Sequence, residues 1–379
     1  MEPANDSPAV KTPSDGGHAV DSGQRDPYSS PMPLTRVFIG PRGLRAAWTI
    51  LFAYCLFYFL RFFFGTIFFT AGLVDENSGQ TAVSTIFLEL IPFLSMLGAG
   101  AAVAVIDRRS VWSYNLTGPR RLGGFLLGAA SGFVALTVLI GTLGQGGWLR
   151  FGPHDLSGLS VFRFAALWGC AFLLVGCVEE GLFRCYLLST LTRSLNFWWA
   201  LAAVAGLCAW PWLKDSAGQS AWGVYLIAGL GFFPCLYLNQ RAKTRNSDAF
   251  WQAAWVTSTA FGLIHTFNHG ENVIGIFAAA TIGFVWCVSV RLTGSAFWAI
   301  GCHAAWDWGE TFFYGTADSG LVPHGHLFTT TPAGNPLLSG GADGPEGSLL
   351  ILGAILVLVG LTFVTRNLLF RVNKAMETA

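Results

Sequence analysis

Residues 161–190 read VFRFAALWGCAFLLVGCVEEGLFRCYLLST. The run is longer than the roughly 20 residues a helix needs to cross the hydrocarbon layer of a bilayer. It is continuous and lacks the ten-residue alternation of a membrane β-barrel strand, so a spanning helix is the element it predicts. Yet two adjacent carboxylates, Glu179 and Glu180, stand in this apolar segment, with Arg184 four residues beyond the second. An ionisable group at mid-bilayer costs at least a few kcal/mol, so such groups face a bundle interior and carry a function. At helical spacing Glu180 and Arg184 share a face and can neutralise each other. Glu179 points about 100° away and is left free to act. The bland reading of the same residues is a structural ion pair beside an edge carboxylate.

The rest of the chain fits a membrane solvent. Of 379 residues only 11% are charged and 53% are hydrophobic, with 22 basic against 21 acidic side chains. An ordinary soluble domain has about 25% charged residues, so a soluble globular enzyme is excluded. The near-neutral balance also excludes a nucleic-acid binder, which needs a basic face. Further apolar runs of spanning length fall at about 46–71, 82–106, 122–143, 197–213, 221–239, 250–268, 273–290, 295–314 and 349–367. With 161–190 they predict an all-α polytopic membrane bundle of about ten spans, 197–213 being short and interrupted near Pro211.

Loop charges orient this bundle. Arg108, Arg109, Arg120 and Arg121 lie in the second loop, Arg241, Lys243 and Arg245 in the sixth, and Arg366, Arg371 and Lys374 after the last span. The segments 72–81, 144–160 and 313–348 are poor in Lys and Arg. Positive-inside reasoning then puts both termini in the cytoplasm, with a bacterial cell membrane as the expected location. Residues 1–45 hold ten charged residues with many Pro, Ser and Gly; they read as a disordered cytoplasmic tail rather than a signal peptide. The bundle is expected over 46–370 and a short tail over 371–379. The eight cysteines all fall in apolar stretches and form no CxxC pair, so buried thiols without disulfides are expected.

Two further polar clusters interrupt the apolar runs. In STAFGLIHTFNHGEN (258–272), His265 ends an apolar helix with Phe261 one turn before it, while His269 and Glu271 lie nearer the membrane edge. In AIGCHAAWDWGE (299–310), His303 and Asp307 are four apart on one face, with Glu310 beyond. Such a pair can bind a metal or hold an imidazole in one tautomer; it can also simply stabilise a helix. HEXXH is absent, which excludes a standard zincin. His324 and His326 belong to a turn-rich loop, 315–348, expected to be solvated.

The three motifs, Glu179-Glu180-xxx-Arg184, Phe261-xxx-His265 and His303-xxx-Asp307, resemble in kind and order the signature of the CPBP family of intramembrane proteases. That family includes the type II CAAX prenyl endopeptidases and bacterial bacteriocin-processing and immunity proteins, also labelled Abi. The segment DRRSVWSYNLTGPRR (107–121) and the Gly-rich helix after it are similar to what precedes the first motif there, so the resemblance covers about 107–314. Two departures stand out: the Arg184-to-Phe261 gap is long, as if a helical hairpin (197–239) were inserted, and Asp307 stands where the prenyl endopeptidases have Asn.

The resemblance implies an intramembrane endopeptidase acting on a membrane-associated peptide or protein, prenylated or a peptide precursor. Glu179 would activate a water, His265 would share proton transfer, and Glu180 with Arg184 would fix the helix. His303 and Asp307 would either stabilise the oxyanion or bind a metal; His265 and His303 are the candidate ligands for Zn²⁺. Membrane lipids are the other expected partner, and nucleic acid is not one. A catalytically silent binding or immunity scaffold and a proton-coupled transporter are the alternative classes, although no inverted repeat or matched pair of broken helices supports a transporter.

Overall fold

The computed structural model describes residues 38–40, 43–75, 79, 81–118, 120–213, 222–241, 245–268, 270–318 and 322–377. Most of the expected N-terminal tail, and His269, lie outside the described residues. Ten long helical segments follow one another: α1 (Ala46–Thr70), α2 (Ala82–Ile106), α3 (Arg121–Gln145), α4 (Leu159–Thr192), α5 (Phe197–Leu213), α6 (Trp222–Arg241), α7 (Arg245–His265), α8 (Val273–Thr293), α9 (Phe297–Trp308) and α10 (Ile351–Glu377). The chain is an all-α polytopic membrane protein.

Seven of these are long and apolar enough to cross a membrane: α1 to α4, α6, α8 and the Ile351–Leu369 part of α10. The other three of the ten expected spans differ for separate reasons. Helix α5 is apolar but only 17 residues long. Helix α7 buries Gln252, Thr257, Ser258 and Thr259, which lowers its hydropathy. Helix α9 has 12 residues before its backbone changes to a π-helix at Gly309–Tyr314. The stretch 197–239 forms two helices, α5 and α6, packed on α7 and α8.

Helix α9 is central, pressed against α3 on one side and α4 on the other. Glycines make the approach possible. A Cβ on Gly128 would meet the Trp298 backbone, one on Gly132 the Cys302 backbone, and one on Gly301 the Phe125 carbonyl. In lipid, helices associate through such close small-residue packing rather than through a hydrophobic drive. Around this seam Leu136, Leu139, Trp298, Cys302 and Trp306 are all buried. The α1–α2 hairpin joins through the packing of α2 on α4, and α10 closes the bundle against α3 and α8. Helix α1 turns Phe59, Phe62 and Phe69 outward, as a lipid-facing helix must.

The connections sort onto two ends. At one, β1 (Leu149–His154) pairs antiparallel with β2 (Phe328–Pro332), Thr81 bridges His324, and the Asn272 N–H donates to Asp343. At the other, Arg109 reaches Ser189, Arg193 lies 3.9 Å from Asp107, and the Ala296 N–H bonds the Asn115 carbonyl. This alternation is what ten successive crossings produce. The segment 315–348, expected to be a solvated loop, is instead a folded cap: Ser339, Asp343 and Ser348 are buried, while His324 stays exposed.

Candidate active site

Helix α4 does not run regularly through its carboxylates. Residues Leu159–Glu180 are α-helical, and Gly181–Leu187 form a π-turn before the α-helix resumes. Such insertions are frequent at functional sites. Glu180 therefore lies at the α-to-π junction, and its pairing with Arg184 holds across it: Arg184 Nη1 donates to Glu180 Oε1 at 3.1 Å, both residues fully buried. The guanidinium lies over Phe261 at 4.2 Å and Trp286 at 4.9 Å from the ring centres. Gly283 on α8 leaves it room, since a Cβ there would strike Nη2. Asn115 anchors the same turn by donating to the Arg184 carbonyl at 2.7 Å.

The same Glu180 oxygen receives His303 Nδ1 at 3.0 Å. His303 stacks on Trp286, with ring centres 4.5 Å apart and 24° between planes. Its other nitrogen, Nε2, lies 3.5 Å from Asp307 Oδ2 and 3.9 Å from Glu179 Oε2. Glu179 Oε2 is buried and has no hydrogen-bond donor. His265, at the end of α7, places Nδ1 2.7 Å from the Phe261 carbonyl. A carbonyl only accepts, so Nδ1 carries a proton and Nε2 is the atom left for other work.

Glu179, His265, His303 and Asp307 line one cavity of about 320 Å³. Glu180 and Arg184 stand behind it and reach it only through His303. An apolar groove of about 690 Å³ between α1, α2 and α4 adjoins the cavity, and Leu88, Glu89, Glu179 and Ile264 line both. Sequence reasoning passed over Glu89, the one acid of α2, and Arg61, the one charged residue of α1, which lines the groove. A lone ionisable group within an apolar span was the available signal. It also missed Asp318 and Glu346, which the cap brings to the cavity wall.

Outside the spans, the cap carboxylates are held protonated well above the ordinary range. Burial, then Asp343 and Glu346, push Glu271 up to about 9. Burial, then Asp318 and Asp343, push Glu346 to about 8. Asp343 rises to about 7 through burial, opposed by the Asn272 N–H.

The donors do not suit Zn²⁺ as they stand. His303 Nδ1 is committed to Glu180 and His265 Nδ1 to a carbonyl, and among the described residues no three His, Cys, Asp or Glu groups converge as ligands on one point. A zinc ion needs three or four donors at 2.0–2.3 Å. No chemical step is therefore assigned to a metal.

The family model for type II CAAX prenyl endopeptidase Rce1-like proteins matches residues 232–309. The chain belongs to the CAAX-protease (CPBP) family. The matched stretch holds Phe261, His265, His303 and Asp307; Glu179, Glu180 and Arg184 precede it. No curated protein and no solved structure matches the chain. The family and the cavity geometry thus meet at the two histidines, while the carboxylates of α4 join them through distances alone.

Proposed function

We propose that the protein is an intramembrane endopeptidase that hydrolyses a peptide bond in a membrane-associated substrate, with Glu179 as the general base. One observation carries the reading: Glu179 Oε2 is buried without a donor, 3.9 Å from His303 Nε2, where a polar cavity meets an apolar groove. A carboxylate so placed has a free lone pair for a water proton, and burial tunes such a base toward its task.

Glu179 takes a proton from a water that attacks the scissile carbonyl. His303, its Nδ1–H bonded to Glu180, presents Nε2 to the oxygen on which negative charge develops and donates when that atom bears a proton. Asp307 steadies the charged ring, and His265 Nε2 is within the same cavity for proton transfer to the leaving amine. The groove, walled by Tyr54, Phe57, Met96 and Leu182, suits a prenyl chain or an apolar peptide segment. Orientation follows from Arg108, Arg109, Arg120, Arg121 and Arg193 gathering at the end away from the cap. That end is cytoplasmic by the positive-inside rule, as are both termini, in a cell membrane such as the bacterial inner membrane.

The test is Glu179→Gln against the unaltered protein at equal folded amount, on membrane-anchored peptides. General-base loss predicts a fall of roughly 10²–10⁴-fold. Undiminished cleavage refutes the mechanism.

A further inference from the structure

The catalytic cavity is unusually acidic. Glu89, Glu179, Asp307, Asp318 and Glu346 line it, and no lysine or arginine does. A second layer points the same way. Glu310 is fully buried, and its Oε2 converges with Glu346 Oε1 on the single Trp306 Nε1–H, at 3.1 and 2.7 Å. Its Oε1 has no donor at all. One N–H shared by two carboxylates, with a buried oxygen left over, is a site short of donors, and unpaired buried acceptors are costly.

The missing donors can be a metal ion or an organic cation, and the geometry separates them. A calcium ion gathers oxygens within 2.3–2.6 Å of one point, whereas among the described residues these acids do not converge so. They are spread around about 320 Å³ of space. A guanidinium offers five N–H donors in a planar fork and reaches scattered oxygens. The opposite side of Glu179 opens into the apolar groove. Whatever is presented to Glu179 thus has apolar surroundings on one side and acidic ones on the other.

We propose that the wall formed by Asp318 and Glu346, backed by Glu310, is a subsite for a basic side chain of the substrate, arginine before lysine, so that the substrate is an apolar segment followed across the scissile bond by a basic flank. This rests on the endopeptidase reading and names its substrate class.

Two arms keep their failures apart. In the first, agmatine and its neutral analogue butylurea compete with carbodiimide labelling of the detergent-solubilised full chain, read by peptide mass mapping. Agmatine should protect Asp318 and Glu346 at a concentration at least about tenfold below butylurea, with protection weakening in salt. Equal protection by the two compounds, or saturable protection by Ca²⁺ that agmatine does not match, overturns the subsite.

In the second arm, a membrane-anchored peptide library with an apolar segment and randomised flank is digested and the products sequenced. Arg should be enriched several-fold over citrulline-containing controls near the cut. Glu346→Gln and Asp318→Asn should each lower that ratio toward one, and Glu346→Asp should retain it in part. Cleavage without basic preference overturns the subsite and leaves the hydrolase. Absence of cleavage alongside agmatine protection sinks the hydrolase and the substrate class with it, and leaves only a cation-binding wall.

Discussion

Replacing Glu180 by glutamine tests how the site is held together. One oxygen of Glu180 accepts from Arg184 Nη1 at 3.1 Å and from His303 Nδ1 at 3.0 Å, and both Glu180 and Arg184 are fully buried. Arg184 has no alternative acceptor, because Nε and Nη2 are unbonded and its faces lie against Phe261 and Trp286. Glutamine keeps an oxygen and loses the charge. Stranding one member of a buried pair costs about 3–5 kcal/mol. The retained neutral hydrogen bond offsets about 1 kcal/mol of that, so the expected net loss is about 2–4 kcal/mol.

Arg184→Met alone should cost less, since His303 still donates to Glu180. The double variant removes both charges together and should recover much of the loss, giving a coupling of about 1–3 kcal/mol. Reversible unfolding in mixed micelles, followed by tryptophan fluorescence, measures all four corners of the cycle. Strictly additive losses, with coupling below about 0.5 kcal/mol, would show that Glu180 and Arg184 do not hold each other and that His303 is positioned by something else.

Gly132→Leu should displace α9 and lower both stability and cleavage, because its Cβ meets the Cys302 backbone. Gly141→Leu on the same helix, where a Cβ meets nothing within 4 Å, should melt like the unaltered protein. Glu271, Asp343 and Glu346 hold protons up to about 9, 7 and 8 when folded, against about 4 when unfolded. The folded state therefore binds more protons through that window, so stability is fully present below about pH 4 and is lost as pH rises toward 9. A melting series from pH 5.5 to 9 should fall, and Glu271→Gln should flatten it; a rising curve refutes the assignment. Cleavage should survive exhaustive chelation, measured beside untreated protein, because the donors do not converge; loss restored by Zn²⁺ would reverse that conclusion.

The bundle was legible because a spanning helix must be long, apolar and uninterrupted, which single segments such as 161–190 display. Helices α5, α7 and α9 departed from it where length or buried hydroxyls lowered the signal. The motif residues were legible for the opposite reason: Glu179, His265 and His303 are costly where they stand. What sequence could not carry was non-local or purely backbone in origin. The π-turn at Gly181–Leu187 is a hydrogen-bond shift without a residue code. Glu346 reaches Trp306 from 40 residues away through a cap whose turn residues read as solvated loop. Glu89 was visible as a lone acid in a span, but it belongs to no motif.

Two adjacent carboxylates come to opposite conditions here, and the packing explains why. Glu180 faces inward to Arg184 and His303 and is fully committed; Glu179, one residue earlier, faces the cavity with Oε2 lacking a donor. Their identities are interchangeable chemically, so only the rotation of α4 assigns the roles. That rotation is fixed by three contacts: Gly176 lies against the Ile300 carbonyl and Ala304 of α9, Gly181 against Met96 of α2, and the Arg184 carbonyl is held by Asn115. A turn of 100° about the helix axis would bring a residue of the wrong commitment to His303 Nε2. The glycines and Asn115 therefore belong to the chemistry as much as the acids do, although none of them meets the substrate: they keep one carboxylate buried as a strut and leave its neighbour free to take a proton.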